Sequence, residues 1–150
     1  MADIKSPEER SINMSHIKNK NTRPELLFRK WLFTNGYRYR VNAGNLPGHP
    51  NLWLSKYETV VFIHGCFWHR HSNCKYAYMP KSRVSFWSDK FLKNVKRDEE
   101  VRGLIQERKI RMLIVWECTI KRMLHSDEYR KTTLDMVESF LHSNVQYQEL

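Results

Sequence analysis

The three cysteines of this chain are placed to hold a metal. Cys66 and Cys74 bracket the segment His64-Gly-Cys-Phe-Trp-His-Arg-His-Ser-Asn-Cys74, and Cys118 stands far downstream, after the apolar run 112–116. Two thiolates and an imidazole within one short loop, completed by a third thiolate, make a closed tetrahedral set of the structural zinc type. His71 suits the fourth position, and His64 and His69 compete with it. A thiolate-rich, closed site leaves no coordination position for water and lowers the metal's Lewis acidity, which argues against zinc as the catalytic centre. The plain alternative makes Cys118 an ordinary buried thiol. That all three cysteines fit one set decides against it, and their odd number argues against a disulfide framework.

Phe67 and Trp68 follow Cys66 directly, and Trp87 lies beside Phe86 near the start of a later helix. Single aromatics usually cap a core, as Phe86 is expected to do. Aromatics in a metal-clamped, basic loop suit a different task, insertion between stacked bases, whose unstacking cost must be offset by restacking on side chains. The formal net charge of +10 points to a polyanionic partner. No segment combines a basic face with a strongly apolar one, so membrane binding is not expected. The N-terminus reads as lacking a leader's apolar core, so a cytoplasmic protein is expected.

The elements that must position these residues read as one α/β domain over 1–150. Ser6-Pro7-Glu8-Glu9 is a capping box opening a helix over 7–17, part of an N-terminal arm spanning 1–20. Thr22-Arg-Pro-Glu25 opens a second helix with Leu26, Leu27, Trp31 and Leu32 facing inward, ended by Asn35-Gly36. Strands follow at 37–41, 51–54 and 57–64, the last apolar and β-branched at its centre. Ser82 is positioned to cap a long helix carrying Phe86, Phe91, Val95, Val101 and Ile105. A buried strand over 110–117 carries Cys118 at its end, and 121–150 reads as a helical extension with an amphipathic helix over 127–142. A strand–helix–strand crossover beside a hairpin-like pair implies a mixed sheet flanked by helices.

Together, Arg10-Ser-Ile-Asn-Met-Ser15, Leu46-Pro-Gly-His-Pro50, Val60-Val-Phe-Ile-His-Gly-Cys-Phe-Trp-His69, Phe86-Trp87, Lys93-Asn-Val-Lys-Arg-Asp98 and Leu113-Ile-Val-Trp-Glu-Cys118 resemble the very-short-patch repair (Vsr) mismatch endonucleases. The likeness runs in order from about residue 5 to 120. It implies a restriction-endonuclease-like fold and magnesium-dependent nicking of one strand 5′ to the T of a T:G mismatch in double-stranded DNA. Such mismatches arise by 5-methylcytosine deamination, so the resemblance also implies a link to a cytosine-5 methyltransferase and to mismatch-repair proteins. It implies His71 as the zinc imidazole, and Met14, Phe67, Trp68 and Trp87 as the DNA-contacting residues. A single mismatch is an asymmetric target, which favours a monomer, here in the bacterial cytoplasm at the nucleoid.

Phosphodiester hydrolysis needs a carboxylate-held metal, an activated water and a stabilised leaving oxygen. The resemblance places Glu25, residue 51, His64, His69 and Asp98 in that role, with Ile63 offering its backbone carbonyl to magnesium. His69 suits proton transfer, Asp98 suits holding its ring, and Glu25 suits positioning a metal-bound water. On their own, Glu25 and Asp98 read as ordinary helix-surface acids. One position departs from the pattern: Asn51 stands where the family carries its principal metal-binding aspartate. Ile63 replaces a family threonine, at little cost if only its carbonyl is used. An amide is a poor magnesium ligand, so a strongly impaired enzyme is expected. Asn51 is either a deliberate replacement that leaves bound DNA intact or the mark of a natural relative that binds without cutting. Retention of every other site residue favours the former. The competing functions are a non-catalytic mismatch binder and a site-specific endonuclease of the same fold.

Overall fold

The computed structural model describes residues 21–150, so Met14 and the 7–17 helix lie outside the described residues. Helix α1 is Arg23–Thr34, capped by Thr22, whose Oγ1 accepts from the Glu25 N–H at 3.5 Å. It ends on Gly36 in the left-handed region (φ +91°), where the N–H groups of Gly36 and Tyr37 return to the carbonyls of Phe33 and Leu32. Strands β1 (Arg40–Val41), β2 (Leu52–Leu54) and β3 (Thr59–His64) follow, with a single 3-10 turn, Ser55–Tyr57, between the last two. Helix α2 (Val84–Glu107), strand β4 (Arg111–Trp116), helices α3 (Glu117–His125) and α4 (Asp127–Leu141), and strand β5 (Tyr147–Glu149) complete the chain.

The sheet order is β1-β2-β3-β4-β5. The first two pairings are antiparallel, and β3–β4 and β4–β5 are parallel. Strands β3 and β4 are apolar on both faces because both faces are covered. Val61, Leu113 and Val115 pack with Phe28 and Leu32 of α1 and with Ile120, Val137 and Phe140 of α3 and α4. Val60, Phe62, Met112, Ile114 and Trp116 face the other way, onto Ile105 of α2. The parallel register sets His64 opposite Trp116. The loop after β3 and the start of α3 therefore emerge side by side, and the chemistry collects at that edge.

Several expectations change. The strand over 37–41 shrinks to Arg40–Val41, because Tyr37 closes the α1 stop and Tyr39 donates its hydroxyl to the Arg29 carbonyl. Leu26 is 50 % exposed, and Phe28 takes the inward position in its place. Arg83, in the left-handed region (φ 55°), stands at the start of α2 instead of Ser82. Cys118 lies in the first turn of a helix, α3, that the apolar strand pattern before it concealed. The 121–150 segment is not wholly helical, since β5 adds a parallel edge strand. No helix among the described residues is long and apolar enough to cross a membrane.

Arg111 explains how so short a strand as β5 is held. Its guanidinium donates to the carbonyls of Leu141 and Val145 at 3.0 Å each and to that of Phe140, whose ring lies 4.3 Å away. These carbonyls belong to the end of α4 and the turn into β5, where the backbone has few other donors. Arg111→Met keeps the apolar stem and removes every one of these bonds. It is expected to destabilise the fold by about 2 kcal/mol in a urea titration, and an unchanged midpoint would refute the role.

Candidate active site and metal centre

A cleft of about 290 Å³ opens at the carboxyl end of β3, lined by Glu25, His49, Asn51, Ile63, His64, His69, Arg97 and Asp98 among others. Gly48 lets the 42–50 loop close over one wall. At φ +75°, a Cβ there would come within 2.6 Å of Val101 on α2.

His64 is buried at the end of β3, stacked on His69 with centroids 3.8 Å apart and planes 5° from parallel. Burial, and the neighbouring His69, push its pKa down to about 3, against an opposing pull from Asp98. His64 is therefore a neutral imidazole throughout the physiological range. His69 Nδ1 lies 2.7 Å from Asp98 Oδ2. With the carboxylate as acceptor, Nδ1 donates and Nε2 keeps its lone pair for the cleft, the arrangement of a general base. One turn earlier on α2, Asn94 donates its amide to the Trp68 carbonyl at 3.0 Å. Asn94 and Asp98 together fix the backbone before His69 and its ring. Asn94 lay inside a quoted motif, but nothing in its type announced this task.

The donor atoms of His64, His69 and Asp98 lie within 4.8 Å of one another. They nevertheless do not converge on an ion. Imidazole lone pairs lie in the ring plane, and parallel stacked rings send them side by side. The geometry suits hydrogen bonding along His69–Asp98 better than chelation.

Glu25 is only 3 % exposed. Its Oε2 accepts from the Asn21 N–H at 2.9 Å and from Arg29 at 3.2 Å, which leaves the second oxygen for a water in the cleft. Asn51 Oδ1 accepts from the Ile63 N–H at 2.7 Å. Only the oxygen can meet that donor, so the amide nitrogen, itself a donor, is what Asn51 offers the cleft. Glu25 and Asp98 each have one oxygen engaged by a protein partner, and the Asn51 oxygen is taken by the Ile63 N–H. The position beside Ile63 therefore lacks the carboxylate by which magnesium is ordinarily held, and the donors there do not fit it.

Below the cleft, the donor atoms of Cys66, His71, Cys74 and Cys118 lie within 4.8 Å of one another. The backbone N–H of Cys118 points at Cys66 Sγ (3.4 Å), and His71 Nδ1 lies 3.4 Å from Cys118 Sγ. The His71 ring is held flat on Trp116, 4.1 Å away and 7° from parallel. Three thiols this close cannot ionise together unaided. Burial, with Cys118 and Cys74 alongside, pushes Cys66 up to about 12, and burial likewise raises Cys118. Burial also works upward on Cys74, but donors from the Tyr76 and Ala77 backbone and the other two thiols hold it below its ordinary value. A divalent cation removes this conflict, and two or three thiolates with one imidazole suit a borderline-soft ion. The four donors therefore fit a metal. They also settle which histidine joins the cysteines: it is His71, since His64 and His69 belong to the cleft.

Residues 2–75 match the family of DNA mismatch endonuclease Vsr. The chain is 46 % identical over 121 residues to the type II nicking enzyme V.NmeAIP of Neisseria meningitidis, covering 81 % of this chain and 86 % of that relative. It is 40 % identical over 121 residues to the DNA mismatch endonuclease Vsr of Escherichia coli, covering 81 % and 77 %. It is 39 % identical over 120 residues to the type II nicking enzyme V.XorIIP of Xanthomonas oryzae, covering 80 % and 88 %. The chain belongs to the Vsr family. It is a DNA endonuclease by family, and DNA is its partner.

In this Vsr chain the loop aromatics form a cluster. Phe67 contacts Trp68, Tyr78, Trp87 and Phe91 at centroid distances of 5.0, 5.2, 5.5 and 5.1 Å. Phe67 and Trp68 are half-buried, at the surface of the cluster. Trp87 is only 6 % exposed, with an indole N–H that has no partner among the described residues, so it supports the pair from beneath. Phe86, expected in the core, is 44 % exposed with the Arg83 guanidinium over its ring. The helix register explains the exchange: Trp87 and Phe91, four apart, share the inward face of α2, and Phe86 lies about 100° away. Arg70 was missed from the sequence. It donates to the carbonyls of Phe67, Ala77 and Tyr78 at 3.1, 2.8 and 3.1 Å and stacks on Phe91, tying the two ends of the loop together.

Proposed function

We propose that this chain recognises a T:G mismatch in double-stranded DNA and is organised to nick the thymine strand on its 5′ side, with nicking strongly impaired by Asn51. The observation that carries this reading is the His69–Asp98 pair, seated over neutral His64 and beside Glu25, in a cleft whose remaining position is an amide. His69 takes the proton of the attacking water through Nε2, Asp98 holds its ring, Glu25 orients the water, and His64 packs its ring against that of His69. Arg97, on the cleft wall, meets the phosphate. Zinc at Cys66, His71, Cys74 and Cys118 supplies no chemistry to the reaction; it stiffens the mount of Phe67 and Trp68. These two residues, backed by Trp87 and joined by Met14, insert beside the mismatch. The magnesium that the family uses would require a carboxylate at residue 51, next to the Ile63 carbonyl. The protein acts as a monomer in the bacterial cytoplasm, alongside a cytosine-5 methyltransferase and the mismatch-repair proteins.

The test is a strand-labelled duplex with one T:G pair, set against the same duplex with T:A. The chain as it stands is expected to prefer the T:G duplex by roughly tenfold or more. Binding without preference would sink the mismatch reading. Cutting of fully paired DNA by Asn51→Asp would replace it with a site-specific endonuclease.

A further inference from the structure

Beyond the cleft, a cavity of about 270 Å³ is walled by Phe67, Trp68, Tyr76 and Tyr78, with Glu117 and Lys121 of α3 at its edge. Tyr78 is 58 % exposed, and Tyr76 is also on the surface. These rings are nevertheless fixed in place. Arg70 binds the carbonyls of Ala77 and Tyr78, and the Ala77 N–H returns to Cys74, one of the metal-centre residues. Tyr76 is flanked by two cations, Lys121 at 4.2 Å and Lys75 at 5.1 Å from its ring centre. Through Tyr76, Cys118 and Lys121 the cavity runs into a second groove, lined by the metal-centre residues His71, Cys74 and Cys118 as well as by Lys75, Arg122 and His125. The result is one strip, aromatic at one end and basic along the other.

We propose that this strip binds an unpaired strand of DNA, one base seated among the aromatic rings and the following phosphates along the lysines and arginine. The proposal rests on DNA being the partner. A duplex hides the faces of its bases, so exposed ring faces beside a basic track serve a strand whose bases are free to stack. The cavity admits one flat heterocycle. Glu117 adds a chemical preference. Its carboxylate makes no hydrogen bond or ion pair among the described residues. Its Oε2 lies 3.4 Å from where a Cβ on Gly65 would stand, beside Trp68. An unpaired carboxylate is unfavourable against a polyanion unless it accepts from a base. The exocyclic amino groups of cytosine, adenine and guanine, with two N–H donors each, suit it better than the single ring N–H of thymine. The strip therefore favours amino-bearing bases such as cytosine over thymine. A strand loosened at a nick is the occupant such a surface would meet.

The experiment uses the full, metal-loaded chain and two labelled probes, an oligodeoxycytidine of roughly eight nucleotides and the T:G duplex. The single strand is expected to bind. The Tyr76→Ala variant should weaken it by roughly fivefold or more while leaving the T:G duplex within about twofold. The Tyr76 ring is on the surface and meets the Lys75 and Lys121 side chains, so metal content and melting should be unchanged. Lys121→Gln should lower the salt slope of single-strand binding by about one. Glu117→Gln should erase the preference for oligodeoxycytidine over oligodeoxythymidine. Absence of single-strand binding in a chain that still binds the T:G duplex overturns the proposal and leaves the mismatch reading intact. Equal weakening of both probes by Tyr76→Ala overturns it as well. Single-strand binding in a chain with no T:G preference upholds the strip and defeats the mismatch reading.

Discussion

Replacing Asn51 by Asp is expected to raise the rate of strand cutting in magnesium by about three orders of magnitude or more. The structure makes this a change of charge with little change of shape. One side-chain oxygen already accepts from the Ile63 N–H at 2.7 Å, and a carboxylate keeps that bond and makes it charge-assisted. What changes is the second atom, from an amide nitrogen that repels a cation to an oxygen that binds one. The other parts are in place: the His69–Asp98 pair, the neutral His64 and the buried Glu25. The added negative charge joins two other carboxylates in one cleft, so without metal it should lower stability. The variant's melting temperature is accordingly expected to rise with magnesium, while that of the present chain stays flat. His69→Ala in the Asn51→Asp background should remove nearly all of the gain, because it takes away the base that the metal cannot replace. A folded, magnesium-stabilised Asn51→Asp chain that leaves every strand of a T:G duplex intact would end the endonuclease reading and leave a binding protein.

Which parts of this site were legible in the sequence follows from the range of the forces involved. The cysteine and histidine set could be read because metal ligands are few in kind and cannot be exchanged for others. Only the identity of the histidine needed three dimensions, since His64, His69 and His71 differ by which side of the loop they leave. The apolar strands β3 and β4 were equally plain, their continuous runs requiring cover on both faces. Helix α3 was concealed because it follows β4 without a break: Trp116 ends the strand and is also the helix cap, with no side-chain signal. The strand β5 was hidden because its residues, Tyr147–Glu149, carry no apolar run and are held by backbone pairing to β4, with Arg111 fixing the turn that leads into them. Phe86 and Trp87 exchanged roles because adjacent aromatics on a helix differ by one register step, and packing alone chooses between them. Glu25 and Asp98 looked like surface acids for a similar reason. Asp98 finds its partner, His69, in a segment distant in sequence, whereas Glu25 is bonded by its near neighbours Asn21 and Arg29 and only its burial depends on the rest of the cleft.

Removing the metal, by chelation or by Cys118→Ser, is expected to abolish selective binding of the T:G duplex while much of the fold survives. The two cores respond differently. The cluster of Phe28, Leu32, Val61, Leu113, Val115 and Phe140 contains none of the four donors. The cluster of Val60, Phe62, Ile114 and Trp116 includes Cys66 and packs against Cys74 and Cys118. Structural zinc contributes on the order of 10 kcal/mol to small peptides that cannot fold without it. A metal held by Cys66, His71, Cys74 and Cys118 would concentrate its stabilisation in the loop carrying Phe67 and Trp68. Its remaining ties are Arg70, Asn94 and the aromatic cluster. Burial favours the neutral thiol at Cys66, so without the metal that side chain contributes no charge to hold the loop. Amide exchange should therefore stay slow in β3, β4 and α1 and become fast across residues 65–81, with protease cuts appearing there first. Metal analysis should find one ion per native chain and none in Cys118→Ser. A metal-free chain with a protected loop and undiminished T:G preference would mean that aromatic packing alone holds Phe67 and Trp68, and that the four donors do not govern recognition.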